Sequence, residues 1–396
     1  MKVLIADKLA DVTVKQLESL GANVSMQPDL SADDLPDALG DSEVLVVRST
    51  KVTRTAIEAA SSLSLIIRAG AGVNTIDLEC ASSHGIYVTN CPGKNTAAVA
   101  ELAIGLIIAA DRNIVNASYD LRDGKWRKKV YSSKSNGLKG RTLGIIGFGS
   151  IGKAVAERAK GLDMHVAAWS RSLTAESAKA LGIEYSDSIE KIAEISDAIT
   201  VHLASTPQTK HMLNKEIFDR MKDTAIFVNT SRGEVVDTEA LTTAIQEKDL
   251  RVGLDVYENE PTAGLSEFKA VDVAAAVTCT PHIGASTKQA AEAIADEVVN
   301  IVKAYRDTGT PLNVVNLQKQ SPAVNKLVVR HFNKVGVLAG VLDELRGANI
   351  NIEEMQNIIF DGGSAASCTL RLDDSVSAVL LEKLTGMDNI IQITEA

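Results

Sequence analysis

The chain has 396 residues, 45% of them hydrophobic and 23% charged, which is ordinary for a globular protein of two or three domains. A net charge of −10 argues against a general nucleic-acid binder, which is normally basic, and no apolar run approaches the ~20 residues of a membrane span. Cys80, Cys91, Cys279 and Cys368 stand far apart without metal-ligand spacing, so buried reduced thiols, no metal site and a cytoplasmic location are expected.

The first residues, Met1-Lys2-Val3-Leu4-Ile5-Ala6-Asp7, read as a strand and not as a signal peptide, because an acid arrives early and no small-residue cleavage site follows. Residues 3–6, 43–47 and 65–69 are short apolar runs expected as buried parallel strands, with helices at 14–20 and 55–60 between them. A long helix is expected over 95–119, followed by a polar, basic surface loop over 122–140. A second alternating series follows, with strands expected at 142–146, 165–169, 198–203, 225–229, 252–256 and 275–278, and a long amphipathic helix at 286–306. Alternation of this kind implies βαβ units and parallel sheets, here two doubly wound α/β domains. Residues 307–325 hold Gly309, Pro311 and Pro322 and read in their second half as a linker. The pattern then changes: strands at 326–331, 355–360 and 366–372 and helices at 337–345 and 376–384 give the βαββαβ order of a ferredoxin-like module over 326–396.

Gly147-Phe148-Gly149-Ser150-Ile151-Gly152 fits G-x-G-x-x-G. Alone the pattern is weak, but here it follows an expected strand and opens an expected helix, the context of a dinucleotide site. Gly147 permits the tight turn, Gly149 lets backbone approach a pyrophosphate, and Gly152 lets helix pack on strand. The carboxylate expected at the end of the next strand, for the ribose 2′-hydroxyl, is missing, and Trp169-Ser170-Arg171 stands there instead. Two readings remain open. Arg171 pairs with the 2′-phosphate of NADP, or Ser170 bonds the ribose of NAD and Arg171 points to solvent.

Oxidation or reduction at C2 of a hydroxy acid needs a cation for the carboxylate and a proton carrier for the C2 oxygen, which is commonly histidine. Asn229-Thr230-Ser231-Arg232-Gly233, Asp255-Val256-Tyr257-Glu258-Asn259-Glu260-Pro261 and Thr280-Pro281-His282-Ile283-Gly284 each follow an expected strand. They therefore lie where ligands bind in open α/β sheets. Arg48 and Arg68-Ala69-Gly70 close strands of the first series, and Asn95 opens the long helix. One guanidinium suffices for a carboxylate, so Arg48 and Arg68 beside Arg232 suggest a second anion such as phosphate.

Ser231-Arg232-Gly233, Asp255-Val256-Tyr257-x-x-Glu260-Pro261 and Pro281-His282-Ile283-Gly284 resemble the motifs of the D-isomer-specific 2-hydroxyacid dehydrogenases. The resemblance covers nearly the whole chain. It implies that Arg232 binds and polarises the substrate, that His282 carries the proton and that Glu260 bonds its imidazole. It also implies that Ser150, Ile151, Leu203, Thr230, Ser231, Asp255 and Gly284 line the cofactor, with Asp255 near the carboxamide. A substrate domain over 1–94, completed by 286–317, would flank an inserted dinucleotide domain over 95–285. Arg48, Arg68, Gly70 and Asn95 look like the substrate-holding residues of members that oxidise 3-phosphoglycerate. Lys125-Trp126-Arg127-Lys128-Lys129 looks like a segment at the subunit interface in that branch, so a homodimer or homotetramer is expected.

Residues 326–396 resemble an ACT domain, a small regulatory module. His331, Asn333 and Asn351 fall where L-serine binds in family members inhibited by it. Two departures stand out: Val335 replaces a usual proline before Gly336, and Asn349, which tolerates left-handed backbone, replaces a usual glycine. The alternatives are a glyoxylate or hydroxypyruvate reductase, which shares Arg232, Glu260 and His282, and a redox-sensing corepressor of dehydrogenase-like fold that does no chemistry.

Overall fold

The computed structural model describes residues 1–261, 267–318 and 320–395. Lys319, in the expected linker, and Ala396, at the end of the expected C-terminal module, lie outside the described residues. The chain divides into two units, Met1–Asn316 and Leu317–Ala396.

The first unit opens with β1 (Lys2–Ile5), α1 (Asp11–Ser19), β2 (Asn23–Met26), α2 (Leu35–Leu39), β3 (Val44–Val47), α3 (Arg54–Ala59), β4 (Leu65–Arg68), α4 (Leu78–Ser83) and β5 (Tyr87–Asn90). These strands form a wholly parallel sheet in the order β2-β1-β3-β4-β5. Its inner strands are apolar without alternation because both faces are covered. Leu4, Leu45 and Ile66 meet Leu35, Ile57 and Cys80 on one face. Val3, Ile5, Val46 and Ile67 meet Leu17 on the other, together with Ile294, Val298, Ile301 and Val302 from far along the chain.

Next come α5 (Thr96–Arg112), α6 (Ile114–Arg122), α7 (Lys128–Ser132), β6 (Thr142–Ile146), α8 (Ser150–Gly161), β7 (His165–Trp169), α9 (Ala175–Ala180), β8 (Glu184–Tyr185), α10 (Ile189–Ile195) and β9 (Ala198–Val201). The unit continues through α11 (Lys215–Arg220), β10 (Ile226–Asn229), α12 (Thr238–Lys248), β11 (Arg251–Leu254), α13 (Val271–Ala276), β12 (Thr278–Cys279) and α14 (Lys288–Thr308). The second sheet is also parallel, in the order β12-β11-β10-β9-β6-β7-β8. Both sheets are Rossmann-like. Their order reverses between β6 and β9 in the second and between β1 and β3 in the first, the crevices where open α/β sheets hold ligands.

Several expectations are corrected. The long helix ends at Arg112, because Asn113 takes left-handed backbone (φ 50°), and α6 restarts beyond it without burying a residue. The basic segment is not wholly loop, since α7 lies inside it. The strand expected at 275–278 is half helix: α13 runs to Ala276 and β12 is only Thr278–Cys279. Short apolar runs do not separate helix from strand, and the alanines here favour helix. Cys279 is exposed, whereas Cys80, Cys91 and Cys368 are buried, and all four are free thiols.

Asp111, near the end of α5, is buried and accepts from Gly137 N (2.9 Å), Arg141 Nη1 (3.2 Å) and Arg251 Nη1 (3.4 Å). It thus ties α5 to the segment before β6 and to the start of β11. Asp111→Ala removes the carboxylate shared by two partly buried guanidinium groups and is expected to lower stability by about 1–3 kcal/mol, read as a fall in the denaturant midpoint.

In the second unit, β13 (Asn325–Phe332), α15 (Val337–Gly347), β14 (Ile352–Ile359), β15 (Ala365–Leu372), α16 (Ala378–Thr385) and β16 (Ile390–Glu395) give βαββαβ. The sheet is antiparallel, ordered β14-β15-β13-β16, with a core of Leu327, Val329, Val341, Leu345, Leu370 and Leu384. Asn349 is left-handed (φ 59°), as its replacement of glycine requires. Among the described residues of both units, no helix is long and apolar enough to cross a membrane.

Candidate active site

The glycine loop follows β6 at the switch point of the second sheet. Gly147 has φ 96°, and a Cβ there would meet His202 O at 2.4 Å and the Leu203 side chain at 3.1 Å. A Cβ on Gly152 would meet Gly147 O at 2.3 Å, so helix α8 packs on the turn only without a side chain. Gly149 faces open space. Ser150 and Ile151 begin α8, whose N-terminal N–H groups are suited to phosphate. Ser170 and Arg171 lie just past β7, Ser170 partly buried and Arg171 exposed.

Polar atoms on neighbouring strand ends also lack partners. Thr230 Oγ1 and His202 Nδ1 are shielded from solvent with no hydrogen bond. His202 as a residue is partly exposed, but its ring is enclosed, with Nε2 3.0 Å from Thr200 Oγ1, and burial pushes its pKa down to about 3. The ring is therefore neutral at any working pH. An open glycine turn beside unsatisfied buried polar atoms fits a bound dinucleotide.

Arg232 is placed by the turn after β10. Asn229 Nδ2 donates to Arg232 O (2.8 Å), and Asn229 Oδ1 accepts from Ser231 N (2.9 Å) and Ser231 Oγ (2.7 Å). Arg232 Nη1 donates to Ser231 O (2.6 Å). A Cβ on Gly233 would stand 2.0 Å from the Tyr257 carbonyl, so glycine lets the Arg232 turn rest on the loop that carries Glu260. His282 is the proton-carrying candidate of the third motif. Its backbone is left-handed (φ 52°), uncommon outside glycine and frequent at functional sites. Its Nδ1–H is shared by Glu260 Oε1 and Oε2, each at 2.9 Å, which leaves Nε2 for a ligand; the side chain is 45% exposed.

Asp255, expected to line the cofactor, also holds the loop that carries His282. It is 1% exposed, and both carboxylate oxygens are engaged by the His282 loop. Oδ1 accepts from Thr280 Oγ1 (2.6 Å) and Ile283 N (2.8 Å), Oδ2 accepts from Gly284 N (2.8 Å), and Asp255 O accepts from His282 N (2.8 Å).

The first sheet supplies two further guanidinium groups. Asp7 Oδ2 gathers the N–H groups of Arg48 (2.7 Å), Ser49 (3.1 Å) and Thr50 (3.1 Å), fixing the turn after β3 at that sheet's switch point. The Arg68 guanidinium lies so close over Gly70 that a Cβ there would overlap it, and a Cβ on Gly72 would be 2.3 Å from Arg232 Nη2. Burial, then the charges of Arg232 and Arg48, push the Arg68 pKa down, and its Nε has no partner. Three like charges held together, with the buried Nε of Arg68 unpartnered, mark a place for anionic groups. Asn95 caps α5 without using its side chain.

The structure thus brings together Arg48, Arg68, Gly70 and Arg232, and separately pairs Glu260 with His282. It does not gather His331, Asn333 and Asn351. His331 is 2% exposed and opposes Ala366, while Ile352, next to Asn351, opposes Leu372, six positions along β15. That is about 20 Å of strand. Asn333 Nδ2 donates to Gly363 O (3.0 Å) and Asn351 Nδ2 to Glu353 Oε1 (2.8 Å). Residues not singled out in the sequence are Asn229, Asp7 and Gly72. Only Asn229 had a signal, as an Asx residue two before the serine whose N–H it accepts.

A family model described as "D-isomer specific 2-hydroxyacid dehydrogenase, NAD binding domain" matches residues 104–284. The D-3-phosphoglycerate dehydrogenase of Methanocaldococcus jannaschii is 40% identical over 319 residues, covering 80% of this chain and 60% of that protein. The hydroxypyruvate reductase of Thermotoga maritima is 41% identical over 282 residues, covering 71% of this chain and 89% of that protein. The NAD+-bound 3-phosphoglycerate dehydrogenase of Entamoeba histolytica superposes with a TM-score of 0.66 at 29% identity, covering 80% of this chain and 99% of that one. The chain spans about 60% of the length of the archaeal phosphoglycerate dehydrogenases it matches.

Proposed function

The chain belongs to the D-isomer-specific 2-hydroxyacid dehydrogenases, and from that premise we propose that it is a D-3-phosphoglycerate dehydrogenase, oxidising 3-phosphoglycerate to 3-phosphohydroxypyruvate in L-serine synthesis. The observation that carries the choice is the cluster of Arg48, Arg68 and Arg232, two guanidinium groups more than a carboxylate needs. Arg232 grips the carboxylate and orients C2, and Arg48 and Arg68, with Gly70 and Asn95, hold the phosphate end. His282 Nε2 takes the C2 hydroxyl proton in oxidation and returns it in reduction. Glu260 fixes the ring so that Nδ1 carries its proton toward the carboxylate. The dinucleotide, held by Gly147, Gly149, Ser150, Ile151, Gly152, Leu203, Thr230, Ser231 and Gly284, supplies the hydride acceptor.

Further parts of this reading concern partners. Helix α6 buries nothing and exposes Ile114, Tyr119 and Leu121, and nearby Trp126 is 80% exposed, which supports a homodimer or homotetramer built on this surface. L-Serine would bind only where a second C-terminal ACT module brings its Asn351 to the His331–Asn333 end of the first. The enzyme works in the cytoplasm.

The second reading is a hydroxypyruvate or glyoxylate reductase, favoured by the 89% coverage of the Thermotoga protein. Reductive turnover with 3-phosphohydroxypyruvate, hydroxypyruvate and glyoxylate separates them. The proposal expects the phosphorylated acid to give the highest kcat/KM. A preference for either unphosphorylated keto acid over 3-phosphohydroxypyruvate supports the reductase, and turnover of none leaves the non-catalytic corepressor.

A further inference from the structure

One short turn holds a histidine with each of two carboxylates. Glu258-Asn259-Glu260 bends at Asn259, whose backbone is left-handed (φ 55°). Glu260 meets Nδ1 of His282 at 2.9 Å, and Glu258 Oε1 meets Nε2 of His211 at 2.6 Å. Against a carboxylate, His211 Nε2 carries the proton and donates it. Glu258 Oε2 also accepts from Thr238 N (3.2 Å), so both of its oxygens are in use. Burial pushes the Glu258 carboxyl up, but the bonds from Thr238 and His211 outweigh it and hold the carboxyl below its ordinary value.

His211 is itself fixed by backbone. It lies between β9 and α11 in left-handed conformation (φ 50°), and its N–H donates to Glu234 O (2.9 Å). Leu213 N donates to Val235 O and Asp237 N to Leu213 O, each at 3.0 Å, which lays this segment alongside residues 234–237. Those residues follow directly on Arg232-Gly233, and a Cβ on Gly233 would collide with the Tyr257–Glu258 peptide. The bond from His211 to Glu258 thus closes a ring that joins the Arg232 turn to the Glu260 loop. His211 is 42% exposed at its side chain, where an ion pair adds little to stability.

We propose that His211 and Glu258 are positioning residues, which pin the Glu258-Asn259-Glu260 turn so that the Glu260 carboxylate stays at Nδ1 of His282. The proposal rests on the roles assigned above to Glu260 and His282. Asp255 holds the histidine side of that pair, and His211 holds the carboxylate side. Drift of the carboxylate by about 1 Å would free the imidazole, and misplacement on that scale costs up to about 10²-fold in rate.

Steady-state kinetics of the full chain over a double-mutant cycle test this. His211→Ala is expected to lower kcat about tenfold while KM for the dinucleotide stays within about twofold. His211→Gln, which places an N–H donor near the position of Nε2, should restore most of the loss. Neither alanine nor glutamine favours left-handed backbone, so their difference isolates the bond to Glu258 from the turn itself. In a Glu260→Gln background, His211→Ala should cost less than about twofold, because the group it positions is already impaired. A loss that is equal in both backgrounds, or that glutamine does not restore, would overturn the proposal, as would a His211→Ala variant with the wild-type kcat. A His282→Gln variant that keeps its kcat would instead overturn the assignment of His282, and this proposal with it.

Discussion

Replacing His282 with glutamine is expected to lower kcat by about 10²–10⁴-fold in both directions, the usual contribution of a positioned proton carrier. Glutamine keeps polarity and approximate length but cannot take the proton from a C2 hydroxyl. Dinucleotide affinity should hardly move, because the glycine loop lies on β6 while His282 follows β12. Glu260→Gln keeps a hydrogen-bond acceptor beside Nδ1 but removes the charge, so it should cost less and alter the pH profile of kcat/KM. Steady-state kinetics with a parallel binding titration check both variants. A His282→Gln variant that keeps kcat within a few-fold would remove His282 from the chemistry.

The second large effect is expected at Asp255. Alanine there leaves Thr280 Oγ1, Ile283 N and Gly284 N without their acceptor, the last of them buried and the others partly so, and it releases the loop that keeps His282 in left-handed backbone. A buried donor left unmatched costs about 1–3 kcal/mol and a partly buried one less, so a stability loss of about 2–4 kcal/mol should accompany a fall in kcat. Asp255→Asn retains one acceptor oxygen and should be milder on both counts. Denaturant unfolding and kinetics on the same preparations test the pair. A fall in activity with unchanged stability would instead mean that Asp255 serves a ligand and not the loop.

The parts of the fold that were legible in the sequence are those where one physical demand dominates. Val44–Val47 is buried on both faces, so it is apolar without alternation and reads as an inner parallel strand. The glycine loop was legible because a turn with φ 96° and a helix packed on Gly147 O exclude side chains at both positions. The break at Asn113 was not, because Ile114 and Val115 continue an apolar helical pattern across it. The 275–278 segment was misread because alanine and valine in a short run suit either state.

At the site, charge and backbone punctuation, together with motifs resembling those of a known family, identified Arg232, Glu260 and His282. What holds them could not be read in the same way. Asn229 and Asp7 act by gathering N–H groups brought near by the folded turn, and Asp255 is shared between two loops 25 or more residues apart. The separation of His331 from Asn351 depends on strand register, which neither loop sequence encodes.

The central claim is that Arg48 and Arg68 select a phosphate. The most direct measurement compares kcat/KM for 3-phosphohydroxypyruvate and hydroxypyruvate, which differ only in that group, in the wild type and in Arg48→Ala and Arg68→Ala. Loss of a charge-assisted phosphate contact should lower the phosphorylated substrate's kcat/KM by at least about tenfold, with much less effect on the other. Equal losses on both substrates, or a wild type that prefers hydroxypyruvate, would contradict the account.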